Sequence, residues 1–283
     1  AGARSLLEYP EVGIVTRELL TIDLGNTETV LGLFRDRELV HHWRIATDVK
    51  RTPDELAHLL GDLLRDENFT PPLRGIIGSV VPAVEPLLTR GFRRAFDSEP
   101  RLINDPAPLA MNGGPLPISL DVEEPHTVGA DRMLNTLAAS QLYGVDVIAV
   151  DLGTATTFDC ITGDGVFLGG VISPGPRAGI EGLAHRASKL PFIDLVPPDI
   201  LIGRRTEDCL RSGCFYAIVD GIDGMVRRIK SEWKRPDCLV LATGGLAGMI
   251  ARHCESVDVV EPYLTLYGLE IADRLLGDRE EGD

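Results

Sequence analysis

The stretch that decides the fold is Thr21-Ile22-Asp23-Leu24-Gly25-Asn26-Thr27-Glu28-Thr29-Val30, and it has a counterpart later in the chain, Ala149-Val150-Asp151-Leu152-Gly153-Thr154-Ala155-Thr156-Thr157-Phe158. In both copies an apolar run typical of a strand ends in an aspartate. A glycine then opens a tight turn, and small polar residues lead into a second apolar run. Each half of the chain is therefore predicted to contain a β-hairpin with a carboxylate at its bend.

Such a bend is suited to binding phosphate. Gly25 and Gly153 lack a Cβ, so backbone N–H groups can approach a bulky anion, and the threonine and asparagine side chains add donors. Asp23 and Asp151 would repel a phosphate unless a metal ion lay between them. One copy alone is compatible with an ordinary surface turn, where Asp and Gly are common. Two copies in matching context favour a functional site.

Composition sets the class of protein. The chain has 283 residues, 44% hydrophobic and 25% charged, which is typical of a globular protein long enough for two domains. The formal net charge of −15 argues against a general affinity for nucleic acid or for an anionic membrane, since such surfaces need clustered lysine and arginine. One local basic pocket remains compatible with this charge.

The cysteines and the apolar runs bear on location. All five cysteines lie in the second half without a CxxC pair, which is typical of reduced intracellular thiols. No apolar run approaches the ~20 residues of a membrane span, and the start of the chain lacks the pattern of a signal peptide. The sequence therefore predicts a cytoplasmic protein.

The order of elements supports a duplication. After the first hairpin we predict a strand over Glu38–Ile45, a helix opened by Thr52-Pro53-Asp54-Glu55, a strand over 75–81 and a helix from Pro82 towards Phe96. Residues 105–125, rich in Pro, Gly and Asp, are predicted to be irregular. We divide the chain into an extension without assigned role (1–19), a first domain (20–125) and a second domain (126–283).

The second half has a similar order. A helix over 130–142 precedes strands around 147–151, 156–162 and 166–168, which are followed by a Gly/Pro segment (169–175) and a helix. Thr206 is predicted to cap a long helix to Lys234. The apolar surface of its residues Ile218, Ile222, Met225 and Ile229 exceeds what a small domain needs to cover itself, and the alternative is that these residues simply pack in the core. A strand over 239–242 and a final amphipathic helix over 263–276 complete the half.

These elements predict an α/β fold of two ribonuclease-H-like domains related by duplication, with the active site in the cleft between them. This arrangement resembles the actin-like ATPase and sugar-kinase superfamily, whose members hold ATP in that cleft. Four segments, in order, are similar to those of the type III pantothenate kinases. They are Asp23-Leu24-Gly25-Asn26-Thr27, Gly129-Ala130-Asp131-Arg132, Asp151-Leu152-Gly153-Thr154-Ala155-Thr156-Thr157 and Ala242-Thr243-Gly244-Gly245-Leu246-Ala247.

The resemblance implies an enzyme that transfers the γ-phosphate of ATP to the primary hydroxyl of pantothenate, the first step towards coenzyme A. It implies ATP with Mg²⁺, a monovalent cation (K⁺ or NH₄⁺) and a homodimer. Asp131 corresponds to the proton acceptor and Asp151 to the ligand of the monovalent cation. The ATP-binding residues it implies are Asp23, Leu24, Gly25, Asn26, Thr27, Glu28, Thr29, Val30 and Thr154, and the pantothenate-binding residues are Val122, Gly129, Ala130, Asp131, Arg132 and Thr206.

The residue chemistry agrees with these roles. Phosphoryl transfer needs positioning, charge neutralisation and one base near the attacking hydroxyl. Asp131 is predicted at the start of a helix, where the dipole would keep it ionised, and the planar fork of Arg132 can pair with a carboxylate or phosphate. The alternative for both is that they merely cap a helix, and for Thr206 the N-cap role is sufficient by itself.

Three departures from the family pattern concern affinity more than reaction type. Glu28 places a carboxylate in the phosphate turn, Val122-Glu123-Glu124-Pro125 lacks a tyrosine common in that segment, and Arg204-Arg205 precede Thr206. Two other functions stay open: a kinase for another small hydroxylated acceptor, and a non-enzymatic transcription accessory factor of the same fold. Retention of Asp23, Asp131 and Asp151 argues against the second, because a pure binding protein needs no base.

Overall fold

The computed structural model describes residues 18–65, 67, 73–105, 107–110, 114–187 and 190–280. The first sheet is built from β1 (Glu18–Leu24), β2 (Glu28–Arg35), β3 (Glu38–Ala46), β4 (Arg74–Ser79) and β5 (Arg101–Ile103). The second contains β6 (Ser119–Leu120), β7 (Val147–Leu152), β8 (Ala155–Ile161), β9 (Val166–Pro174), β10 (Leu239–Thr243) and β11 (Val259–Val260). The strand order is β3-β2-β1-β4-β5 in the first sheet and β11-β10-β7-β8-β9-β6 in the second.

The two sheets repeat one topology. In the first sheet, β1 has the antiparallel strands β2 and β3 on one side and the parallel strands β4 and β5 on the other. In the second sheet, β7 has the antiparallel strands β8 and β9 on one side and the parallel strands β10 and β11 on the other. The second sheet differs by one extra short strand, β6, which pairs with β9. This repeat confirms the predicted α/β fold of two related halves.

The helices form layers around these sheets. They are α1 (Pro53–Leu63), α2 (Glu85–Phe96), α3 (Ala107–Ala110), α4 (Ala130–Tyr143), α5 (Pro176–Arg186), α6 (Thr206–Trp233), α7 (Ala247–Ile250) and α8 (Leu264–Glu280), with 3₁₀ turns at Pro125–Thr127 and Ala251–His253. Helices α1 and α2 cover the outer face of the first sheet, and α6 covers the outer face of the second. Helices α4 and α8 pack together between the sheets.

This layering bears on how the chain is divided. Strand β6 precedes residue 125 but belongs to the second sheet, and α8 near the end of the chain packs against β1, β2 and β4 of the first. Each half of the chain thus contributes one element to the other half. The division into domains at residue 125 remains a prediction. The predicted extension, residues 1–19, lies almost wholly outside the described residues.

Several predicted boundaries change. Helix α1 begins as expected, with a capping box between Thr52 and Glu55. Helix α2 begins at Glu85 and not at Pro82, because a turn closed by the bond from the Val84 amide to the Val81 carbonyl comes first. Residues 105–125, predicted to be irregular, contain α3 and β6.

The predicted end of the third strand at residue 168, before the Gly/Pro segment 169–175, was wrong. Strand β9 continues through Gly169 and Gly170 to Pro174. Gly169 has a φ of 97°, and the pairing register of β8 and β9 shifts between Asp159 and Ile161. A Cβ on Gly170 would overlap the Phe158 carbonyl oxygen. The two glycines therefore mark a β-bulge within a strand, not its end.

Two expectations for α6 were also wrong. Thr206 is the first residue of the helix, with Arg205 at the N-cap and no side-chain capping bond, so Thr206 does not cap it. Ile222 and Ile229 are buried in the core of the second half, against β7 and β10, so they offer no spare surface; Ile218 and Met225 are only partly buried.

Two further findings concern bonding and membranes. All five cysteines are free thiols. Within the described ranges, none of the helices combines the length and the apolar character that a membrane span requires.

Candidate active site

The two aspartates of the repeated pattern lie on the sheet faces that look inward towards α4 and α8. Asp23 on β1 is paired with Val30 on β2, and Val30 is paired with Arg44 on β3, so these three side chains form one row on the same face of the sheet. Asp151 occupies the equivalent row of the second sheet, between Thr157 and Thr243. Because the sheets face each other across α4 and α8, the duplication brings both carboxylates to one cleft.

The tips of the two hairpins meet. The hydroxyl oxygens of Thr27 and Thr154 lie 2.9 Å apart and share a hydrogen bond. This bond joins the part of the molecule built on the first sheet, the first lobe, to the part built on the second sheet, the second lobe. Thr47, just beyond β3, closes the first turn by donating to the Gly25 carbonyl at 2.7 Å. The predicted ATP-binding residues from both copies therefore converge on one place.

The amides of the two turn glycines make hydrogen bonds within the turns. The Gly25 amide donates to the Glu28 carbonyl at 3.2 Å, and the Gly153 amide to the Ala155 carbonyl at 3.1 Å. Both amides are thus used to close the turns. The tip residues Asn26, Thr27 and Thr154, all exposed, are better placed to meet a phosphate.

Some predicted contacts can involve only backbone. The Leu24 side chain is buried in the outer core of the first half, and Ala130 in the core between the sheets. Thr29 is buried, with its hydroxyl 2.8 Å from that of Thr47. Val30 packs against the inner core. The side chains of these four residues are packed or hydrogen-bonded within the chain, so a ligand at the turns would meet their backbone.

Asp131 lies in the first turn of α4, as predicted. Its Oδ1 accepts a hydrogen bond from the Arg132 amide at 2.8 Å. A Cβ on Gly129 would overlap the same oxygen, so glycine at this N-cap makes room for the carboxylate. Burial raises the pKa of Asp131, although the Arg132 amide and charge lower it. Desolvation therefore acts on this carboxyl against the helix dipole.

Arg132 is fixed by a residue that the sequence analysis missed. Its Nε and Nη2 both donate to Asp159 Oδ1, at 2.8 and 2.5 Å, and its guanidinium lies 4.9 Å from the centre of the Phe167 ring. Asp159 is fully buried, and its Oδ2 has no hydrogen-bond partner among the described residues. One edge of the arginine fork is thus occupied, and the Nη1 edge is left to meet another anion.

Asp151 is held by a chain of polar contacts that the sequence analysis also missed. Thr265 on α8 donates to Asn135 Oδ1 at 2.9 Å, and Asn135 Nδ2 donates to Asp151 Oδ2 at 3.3 Å. The Thr265 bond fixes the amide so that its NH₂ group faces the carboxylate. A signal existed in the sequence, since Asn135 follows Asp131 by one helical turn and so lies on the same face of α4.

The cleft carries an excess of buried negative charge. Burial, followed by repulsion from Asp131 and Asp151, raises the pKa of Asp23 to about 8, and burial and the charges of Asp131 and Asp159 raise that of Asp151 to about 7. Burial raises the pKa of Asp159 to about 6 despite Arg132. Arg44 lowers the pKa of both Asp23 and Asp151.

Carboxylates of this kind fit hard cations. Oxygen donors suit Mg²⁺ and K⁺, and a cation would relieve the repulsion that raises these pKa values. Among the described residues, however, no three acidic, histidine or cysteine side chains are grouped closely enough to hold a metal by themselves. Asp23 and Asp151 could therefore act as cation ligands only with further oxygen donors from outside the chain, such as phosphate.

Two predicted substrate residues are placed differently. Val122 is partly buried and packs beside β9, with its Cγ1 3.7 Å from where a Cβ on Gly169 would lie. Thr206 is exposed and lines an apolar cavity of about 660 Å³ between α5 and α6. The described residues that line this cavity with Thr206 do not include Asp23, Asp131 or Asp151.

Comparison with known proteins identifies the class. Residues 19–228 match the family described as type III pantothenate kinase. A type III pantothenate kinase of Thermobifida fusca is 40% identical over 260 residues, covering 89% of this chain and 97% of the relative. One of Streptomyces avermitilis is 42% identical over 261 residues, covering 89% and 96%. The chain belongs to the type III pantothenate kinase family.

Solved structures agree on the fold alone. A putative Baf family transcriptional activator from Campylobacter jejuni has a TM-score of 0.51 at 18% identity, covering 93% of this chain and 99% of its own. The ethanolamine utilization protein EutJ from Carboxydothermus hydrogenoformans has a TM-score of 0.50 at 15% identity, covering 88% of each chain. Likeness at such identities does not extend to function, so the first of these neighbours does not favour a transcription factor.

Proposed function

We propose that this chain transfers the γ-phosphate of ATP to the primary hydroxyl of pantothenate, giving 4′-phosphopantothenate, the first step of coenzyme A biosynthesis. The observation that carries the proposal is that Asp131, at the start of α4 beside Arg132, is close enough to both hairpin aspartates for its charge to raise the pKa of Asp23 and of Asp151. The two hairpins are themselves joined by Thr27 and Thr154. This arrangement supports a carboxylate base and an anion-binding arginine beside the proposed phosphate site.

The proposed roles follow from the contacts. The exposed tips of the two turns, with Thr27 and Thr154, bind the phosphates of ATP. The free edge of the Arg132 fork binds the pantothenate carboxylate, while Asp159 fixes its direction. Asp131 accepts the proton of the attacking hydroxyl, and its raised pKa makes it a stronger base than an exposed aspartate.

Cations belong to the same proposal. We assign Mg²⁺ to Asp23 together with the nucleotide phosphates, and a monovalent cation, K⁺ or NH₄⁺, to Asp151. When bound, these cations neutralise charge on the phosphates. The contribution of the chain is to hold Asp151 in one orientation through Asn135 and Thr265.

The direct test is a coupled assay of ADP release with purified protein, ATP and Mg²⁺, with and without pantothenate. We expect release that depends on pantothenate and saturates with it. Release that is equally fast with another hydroxylated acceptor would favour a different small-molecule kinase. No release with any acceptor, while ATP still binds, would favour the accessory-factor alternative.

We further propose a homodimer in which Thr206 completes the partner's pantothenate site. Three observations support this: Thr206 is exposed, it borders an apolar cavity, and the segment before it exposes large apolar side chains. These are Phe192 (67% exposed), Ile200 (49%), Leu201 (68%) and Ile202 (86%). A cytoplasmic location is proposed with it, because the free cysteines suit a reducing compartment.

Mixing variants tests the shared site. Asp131→Asn and Thr206→Val dimers should each be impaired, and after subunit exchange about a quarter of wild-type sites should return, since each heterodimer contains one intact site. Mixing Asp131→Asn with Arg132→Ala is the matched control, because both changes fall on the same side of the site and no intact site can form. A monomer by light scattering, or no recovery after verified exchange, contradicts the shared site.

A further inference from the structure

Arg44 and Glu28 form an ion pair at the mouth of the cleft. Arg44 lies on β3 in the row that contains Asp23, and Glu28 is the first residue of β2, directly after the tip of the first turn. Arg44 Nη1 donates to Glu28 Oε2 at 2.5 Å. The carboxylate that interrupts the phosphate turn is therefore neutralised from within the first lobe.

Arg44 also reaches the second lobe. A Cβ added to Gly245, in the turn after β10, would lie 2.7 Å from Arg44 Nη1 and 3.0 Å from its Cζ. The guanidinium therefore rests against bare backbone at a position where any side chain would displace it. Its charge also lowers the pKa of both Asp23 and Asp151, so it is close to each.

The ion pair between Arg44 and Glu28 can be replaced by a contact between Arg44 and a ligand. The two side chains are 35% and 41% exposed, and ion pairs so exposed contribute little to stability. A triphosphate offers more charge and more acceptor oxygens than one carboxylate, and arginine binds phosphate through two parallel hydrogen bonds. A nucleotide that occupies the first turn would therefore compete with Glu28 for Arg44.

We propose that Arg44 binds a phosphate group of the nucleotide, and that Glu28 is an internal competitor that pairs with Arg44 until the phosphate displaces it. The inference rests on the proposed use of ATP. It gives the acidic departure at position 28 a role, since Glu28 would lower nucleotide affinity while keeping the arginine preorganised.

The test measures ATP binding by calorimetry, with Mg²⁺ and without pantothenate. Glu28→Gln should tighten the Kd about 3- to 10-fold, because the competitor is gone, and Arg44→Gln should weaken it about 10-fold or more. Arg35→Gln is the matched control, because Arg35 pairs with Glu18 at 2.8 Å in the same sheet, is similarly exposed, and lies at the far end of β2. It should leave the Kd unchanged.

The decisive comparison is Arg44→Gln in the Glu28→Gln background. A phosphate ligand is still lost there, so the double variant should bind ATP about 10-fold more weakly than Glu28→Gln alone. If Arg44 only neutralises Glu28, the two will bind equally, and the proposal is overturned. Thermal unfolding checks that each variant folds, and Arg44→Lys provides a second variant that keeps the charge but loses the fork.

Failure here is distinguishable from failure of the proposed kinase activity. Wild-type protein that releases ADP in a pantothenate-dependent way, while Arg44→Gln binds ATP normally, retains the function and refutes the role of Arg44.

Discussion

The two copies of the repeated hairpin share a backbone but have different surroundings. Asp23 and Asp151 occupy equivalent positions in sheets of the same strand order. The first copy is flanked by an exposed ion pair, Arg44 with Glu28, and the second by the buried pair of Arg132 with Asp159. Exposed pairs can be exchanged, whereas removing one partner of a buried pair is costly.

The difference indicates a division of labour. The first copy offers an exposed turn and a cation free to change partners, which suits a nucleotide that must enter and leave. In the second copy Asn135 and Thr265 hold Asp151, and Asp159 holds the neighbouring Arg132, which suits the proposed role of these groups at the acceptor. Duplication supplied the cleft, and helix α4 between the sheets made its two sides unlike.

The largest effect should come from the base. Asp131→Asn should lower kcat about 10²-fold or more while leaving the Kd for ATP within about 2-fold, because only proton transfer is lost. The raised pKa of Asp131 also predicts that the wild-type rate declines on acidification at a higher pH than an ordinary aspartate would give. Steady-state kinetics over pH check both; near-normal turnover in a folded variant removes Asp131 from the mechanism.

The next effect concerns the buried pair. Asp159→Asn should raise the KM for pantothenate about 10-fold with a smaller change in kcat, because Arg132 loses the partner that aims its free edge. ATP binding should be unchanged, since Asp159 belongs to the acceptor side. Asp164→Asn, on the exposed turn between β8 and β9, is the control and should behave as wild type. An equal loss of ATP affinity in Asp159→Asn would contradict the division.

The excess charge predicts a pH effect on stability. A carboxyl whose folded pKa lies above its unfolded value binds more protons when folded, so without cations stability falls as pH rises from about 4 to the folded values of about 8 for Asp23 and about 7 for Asp151. Mg²⁺ with K⁺ should therefore raise the Tm more at pH 8 than at pH 5.5, by about 5 °C or more. Calorimetric scans check this, and equal shifts at both pH values would contradict it.

The smallest effect should come from the contact between Arg44 of the first lobe and Gly245 of the second. Gly245→Ala should weaken ATP binding a few-fold, because the new methyl group would displace the Arg44 guanidinium. Gly248→Ala is the matched control, since a Cβ there meets nothing within 4 Å. If both variants bind ATP alike, Arg44 does not depend on its contact with the second lobe.

Much of this was predictable from the sequence because the repeat is local. Alternating apolar runs and the capping box at Thr52 located the hairpins and α1. The strand β9 was predicted to end too early, because glycines are typical both of a β-bulge within a strand and of a strand end. Asp159, Asn135 and Thr265 were missed because their roles depend on contacts between distant elements, which no short pattern records.

The central claim is tested most directly by titrating cations against Asp23→Asn and Asp151→Asn, the same change at equivalent positions. The assay is ADP release at saturating ATP and pantothenate. We predict that Asp23→Asn raises the Mg²⁺ concentration needed for half-maximal rate and leaves the K⁺ dependence unchanged, while Asp151→Asn does the reverse. If both variants shift the same cation equally, the two copies do not divide their functions as the structure indicates.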